Sequence, residues 1–164
     1  MKTEKFVPLR ILNKKQKKEI EDKLEDQFGI KNIPGEVIMR GRERLFLFSG
    51  DFTAKEIKKL EEVAIVERIG VYFAKRVYDN GGEKIRLSIE GSQILKNQIN
   101  KNIFELSDDL AEEWMKGHEL LVKTGKKDFL IMRHKGEFLG TGKASEEKIS
   151  NFIPKSRRLR EKNV

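Results

Sequence analysis

Gly140-Thr-Gly-Lys143 comes nearest to a reactive motif in this chain. Glycines running into a lysine can cradle a nucleotide phosphate, but that loop also needs a glycine five residues before the final Gly-Lys and a Ser or Thr after the lysine. Glu137 and Ala144 stand at those two places. A carboxylate there repels phosphate, and no hydroxyl is left to hold Mg²⁺. The context differs as well. A phosphate loop joins a strand to a helix, whereas FLIMRH (129–134) and EFL (137–139) read as two strands joined at Lys135-Gly136. The glycines are therefore expected to serve backbone geometry, sharing one strand face and permitting tight coiling.

Other reactive groupings are no stronger. Acid pairs occur at Asp108-Asp109, Glu112-Glu113, Glu61-Glu62 and Glu146-Glu147. Acid catalysis needs carboxylates converging in a cleft with their pKa values pushed apart. Asp108 and Asp109 instead fall in the first turn of a predicted helix, where the backbone dipole favours negative charge. With no cysteine and only His118 and His134, thiolate sites, disulfides and an ordinary zinc set are excluded. Nothing places Ser, His and Asp together. The expectation is no enzyme, no cofactor and no metal.

Charge is the more informative property. The 164 residues carry a net +8, with 37% hydrophobic and 38% charged residues, so one medium domain or two small, mutually supporting ones can form. Residues 1–18 hold seven Lys/Arg against one Glu, and residues 154–164 hold five against one. Such a balance suits a polyanionic partner. Lys14, Lys15, Lys17 and Lys18 read as a solvated helix face. No run approaches the roughly 20 apolar residues of a membrane span, and the first residues lack an apolar signal-type core. A cytoplasmic protein without membrane contact is expected.

The elements that must position these residues follow from periodicity. Asn13 caps a helix with Ile20, Leu24 and Phe28 on one face, ended by Gly29. EVIMR (36–40) and RLFLFSG (44–50) are strands, Thr53 and Glu56 form a capping box, and 65–79 reads as one or two strands. A boundary is placed near Asn80-Gly-Gly82. Beyond it, Ile85, Leu87 and Ile89 alternate with polar residues, a short helix follows near Ser92–Lys96, and NIFEL (102–106) is a strand. Ser107 caps a helix bearing Leu110 and Trp114, and Gly117 ends it. HELLVK (118–123), the hairpin and KISNFIP (148–154) complete the strands. About six short strands and two short helices in such a stretch are expected to close into a partial barrel. Trp114 is assigned to the core; Tyr72, Tyr78 and Phe152 could stack on bases, though strand aromatics are more often core.

FLIMRHKGEFLGTGKAS, followed by KISNFIPKSRRL, resembles the end of a PUA domain, the RNA-binding module named after pseudouridine synthases and archaeosine transglycosylases. RLSIEGSQIL (86–95) and ELSDDLAEEWMKGHELLV (105–122) resemble its earlier segments. The ending Asn151-Phe-Ile-Pro-Lys155 with Arg158 is most similar to the accessory C-terminal domain of Sun/fmu-type RNA cytosine-5 methyltransferases. The two-part layout also resembles small ribosome-biogenesis PUA proteins of archaea and eukaryotes. The resemblance implies an α+β protein: an N-terminal α/β pre-PUA domain (1–82), a PUA pseudo-barrel (83–159) and a basic tail (160–164). It implies binding of structured rRNA or tRNA in ribosome biogenesis or RNA modification. The methyltransferase activity is not implied, because the chain lacks a cysteine nucleophile and a glycine-rich turn for S-adenosylmethionine. Cationic side chains at and after the final strands are the expected RNA contacts: Lys143, Lys155, Arg157, Arg158 and Arg160, with Lys96 and Lys101 as neighbours. The alternative is an adaptor that docks a separate RNA-modifying enzyme or a pre-ribosomal protein.

Overall fold

In a computed structural model of the chain, residues 7, 9–66, 68–79 and 81–161 are described. Asn13 caps α1 (Lys14–Phe28) through a reciprocal box with Gln16, and Gly29 closes it in the left-handed conformation. Ile20, Leu24 and Phe28 recur a turn apart and are buried, which fixes the face that α1 presents. That face lies on an antiparallel meander of five strands. They are β1 (Leu9–Ile11), β2 (Glu36–Arg40), β3 (Arg44–Phe48), β4 (Val71–Asp79) and β5 (Gly82–Leu87), adjacent in chain order. Between β3 and β4 runs α2 (Ala54–Val63), opened by the box of Thr53 and Glu56. It covers part of the opposite sheet face, where Leu9, Ile38, Phe46 and Ile57 are buried together.

The second half holds α3 (Ile89–Ile94), β6 (Ile103–Glu105), α4 (Asp108–Met115), β7 (Phe129–His134), β8 (Glu137–Ala144) and β9 (Ile149–Ser150). Its sheet runs β6-β7-β8-β9, with β6 parallel to β7 and the other pairs antiparallel. The architecture is α+β, and the two expected helices are present. The strand inventory differs from the expectation of about six: among the described residues this sheet has four. HELLVK contributes only Leu120, which bridges Ile149. KISNFIP pairs over just two residues, because the Asn151 amide turns the chain away. It donates to the carbonyls of Trp114 and His118 and accepts the Ile153 N–H. Of the alternating run expected at 85–89, Ile85 to Leu87 pair with β4 and complete the first sheet, whereas Ser88 caps α3 and Ile89 opens it.

The hairpin turns at Lys135 and Gly136, both at positive φ, the geometry a two-residue turn requires. Gly140, at φ 80°, sits in a bulge where the β7–β8 register shifts. The bulge frees the Leu139 carbonyl for the Trp114 indole N–H and aims the Gly140 N–H at Ser92 Oγ. A Cβ at Gly142 would lie 2.6 Å from Ile149 Cγ2 and 2.8 Å from Trp114 Cη2. The glycines thus serve a bend and a close approach.

One apolar core crosses between the halves. Phe73, Ile85 and Leu87 pack in the same cluster as Leu95, Ile99, Phe129, Ile131 and Phe138. Gln27, Ser92 and Thr141 are the buried polar side chains among the described residues, and two of them, Gln27 and Thr141, bond β5. Gln27 accepts the Ile85 N–H at 2.7 Å and donates to the Ile85 carbonyl at 2.9 Å. Thr141 Oγ1 accepts the Leu87 N–H at 3.1 Å. These side chains satisfy the outer edge of β5, which has no further strand beside it. Gln27→Leu keeps the volume and orphans both Ile85 groups. It should cost about 2–6 kcal/mol in denaturant unfolding, at roughly 1–3 kcal/mol per unsatisfied buried group. A loss below about 0.5 kcal/mol, the scatter of surface changes, would contradict this role.

Candidate nucleic-acid interface

The part of the first sheet that α2 leaves open carries a row of cations. Register places Arg40 of β2 opposite Arg44 of β3, Arg44 opposite Lys75 of β4, and Lys75 opposite Arg86 of β5. Residues directly opposite share a face, and like charges so placed repel. Four strands therefore align their charges without alternation of sign. Arg68 joins them from the segment before β4, and all five line one groove of about 560 Å³. Its other walls are Phe46, Tyr72, Phe152 and Pro154, and no Asp or Glu among the described residues lines it. Glu43, outside that lining, pairs with Lys75 at 3.2 Å. Arg44 and Arg68 are exposed, with no side-chain hydrogen bond or ion pair among the described residues. Arg86 lies over the Phe152 ring, 4.3 Å from its centroid. The groove is thus built by both halves, since β2–β5 form its floor and the segment after β9 forms a wall.

None of the seven residues expected from sequence is among those that line this groove. Lys143, on β8, is 3.0 Å from Asp79 and 5.6 Å from the Phe129 centroid. Phe129 meets Phe152, which lies under Arg86, so ring contacts link Lys143 to the groove. Lys155 and Arg157 lie in a single 3-10 turn directly after Pro154. Arg157 pairs with Glu90 at the start of α3. The Arg158 Nε donates to the Ile153 carbonyl, and the Leu159 N–H bonds Met115, tying the tail to the end of α4. Arg160, Lys96 and Lys101 are exposed. Two of the seven therefore already face a carboxylate, and Arg158 is engaged with backbone. Sequence reading missed the groove residues, because they are scattered along the chain and meet only through strand register. The one available signal was a basic residue in or at the end of each of β2 to β5.

His134 bonds Asp108 at 2.7 Å and His118 bonds Glu113 at 2.6 Å, both exposed contacts. Among the described residues, no group of three or more His, Cys, Asp or Glu is arranged to hold a metal ion, and no helix is long and apolar enough to cross a membrane.

A cationic groove on an α+β scaffold is what this geometry defines. Residues 101–159 match the family described as the methyltransferase RsmF PUA domain. Over 94% of its length the chain is 29% identical to ribosomal RNA small subunit methyltransferase F of Shewanella oneidensis, covering 31% of that protein. It is 26% identical to the protein of that name from Psychromonas ingrahamii, over 79% of this chain and 26% of the relative. The Vibrio vulnificus protein is 27% identical over 59% of this chain. The chain thus spans about a third or less of the curated relatives it matches. It carries a PUA domain similar to the accessory domain of the Sun/RsmF-type methyltransferases.

Three exposed carboxyls are held below their ordinary pKa: Asp79 by the Lys143 ammonium and then the Gly81 N–H, Asp108 by His134 and then Lys135, and Glu113 by His118. A lowered folded pKa adds stability above the unfolded value, and that stability is lost as pH falls through the folded one. Thermal midpoints should therefore fall from about pH 5 towards pH 2 more steeply in the parent than in the Asp79→Asn/Asp108→Asn/Glu113→Gln variant. Equal slopes would contradict these pairings.

Proposed function

We propose that this chain is a non-catalytic RNA-binding protein. It holds folded RNA, ribosomal RNA foremost and tRNA as the alternative substrate, in the cytoplasm during ribosome biogenesis or RNA modification. The carrying observation is that, among the described residues, no carboxylate lines the groove and Arg44 and Arg68 are exposed and unpaired. Aligned like charges raise the free energy of the isolated sheet. A phosphate chain removes that repulsion and releases counterions. The likeness of residues 101–159 to the PUA domain of rRNA methyltransferases supports RNA as the polyanion. The unit from 83 to 159 would act with the N-terminal sheet, and Lys143, Lys155, Arg157, Arg158, Arg160, Lys96 and Lys101 would form an outer basic rim. No cofactor and no bond-making step enter this reading.

A second reading, the adaptor, draws on α2. Phe52, Leu60, Val63 and Ile65 are exposed apolar residues, and an apolar cleft runs from Phe48 and Phe52 to Val63. In that reading the cleft docks an RNA-modifying enzyme or a pre-ribosomal protein. Retention of such a partner after nuclease treatment, and its loss on Val63→Asp, would favour it.

The leading reading is tested with ribosomal RNA fragments titrated across salt concentrations. Arg44→Glu/Arg68→Glu should weaken binding at least about ten-fold and flatten the log K against log salt slope by roughly two. Arg157→Glu/Arg158→Glu should have the smaller effect, since both side chains already have partners. Unchanged affinity in the groove variant would refute the assignment.

A further inference from the structure

We infer that the groove takes an unpaired RNA segment, with its phosphates along the cation row and its bases on Tyr72 and on the Arg86–Phe152 stack. This rests on the RNA-binding reading and specifies the form of RNA. Successive strands lie about 4.8 Å apart, so three intervals from Arg40 to Arg86 give a track of about 14 Å. Aromatic residues run beside the track. Phe46 lies opposite Tyr72 in the ladder, with ring centroids 5.7 Å apart and planes at 56°. Phe46 is only 4% exposed and so backs Tyr72 without offering a face of its own. Tyr72 and Phe152 are partly exposed and line the groove. The Tyr72 hydroxyl has no hydrogen-bond partner among the described residues, which leaves it for a base edge or ribose. The guanidinium of Arg86 is held over the Phe152 ring, and its outer side is a planar cation on which a base can stack.

A cation row alone would suit any RNA. The aromatic wall decides between forms. In a duplex the bases are stacked on one another, and a protein meets phosphates and ribose hydroxyls. Tyr72 and Phe152 would then gain nothing from the ligand. A single strand supplies phosphates for the row and free base faces for the rings, the combination that single-strand grooves use.

The test compares a labelled oligouridylate and oligoadenylate of about 12 nucleotides with an RNA duplex of the same length, at several salt concentrations. The single strands should bind about ten-fold tighter than the duplex, since each stacked base adds appreciably. Tyr72→Leu and Arg86→Lys should each lower single-strand affinity about five- to ten-fold, leave duplex affinity alone, and leave the salt slope unchanged because no cation is lost. Thermal melting checks that Tyr72→Leu is folded; the strand-against-duplex comparison needs no variant. Duplex binding as tight as single-strand binding, or no loss in the folded variants, would overturn the inference. If Arg44→Glu/Arg68→Glu still weakened both ligands, the RNA-binding reading would stand without it. If that variant changed neither ligand, both would fall.

Discussion

The outer edge of β5 is the constraint on which the rest of the molecule depends. A strand edge leaves N–H and C=O groups that must find partners. Here the partners are side chains from both halves: Gln27 of α1 takes Ile85, and Thr141 of β8 takes Leu87. Within the second half, Ser92 Oγ accepts the Gly140 N–H in the β8 bulge, which holds α3 on β8. No buried side-chain polar atom among the described residues lacks a partner, and sliding the halves past one another would break the Leu87–Thr141 bond together with those from Asn102 Nδ2 to the Gln27 carbonyl and from the Asn100 N–H to the Phe28 carbonyl. That penalty gives the seam a single geometry, with Phe73 and Phe138 packed in one cluster across it.

A defined seam is what turns scattered cations into a groove. The sheet sets Arg40, Arg44, Lys75 and Arg86 side by side, while Phe152 and Pro154 come from the other half. Had the second half docked elsewhere, the row would lie on an open surface, where solvent screens each charge. With a wall beside it, the row faces water on fewer sides and its potential is focused. Repulsion along the row opposes folding, and the edge contacts of β5 and the shared core offset it. Function and stability pull in opposite directions at these four positions.

Much of the scaffold was legible in the sequence because its signals are local. Asn13 with Gln16, Thr53 with Glu56, and Ser107 mark helix starts by side-chain chemistry within one turn. Lys135-Gly136 marks its hairpin in the same way. The strands within 65–79 and 118–123 were harder, since alternation says that a strand can form without saying what it pairs with. Thus Ile85 to Leu87 join the first sheet while Ile89 turns into α3, and Leu120 finds a single bridge. The site was the least legible part. Runs of Lys and Arg at the chain ends drew attention, yet Arg157 lies against Glu90 and Lys143 against Asp79. The groove cations are far apart in the chain and become neighbours only through long-range register, which no local pattern encodes.

The central claim is that RNA lies in the groove between β2–β5 and the segment after β9. Photocrosslinking of thiouridine-substituted ribosomal RNA, followed by peptide mapping, addresses it most directly. Crosslinks are expected at Tyr72 and Phe152, with lysine adducts at Lys75. Crosslinks confined to α1, α2 or the chain beyond Arg157 would contradict the claim.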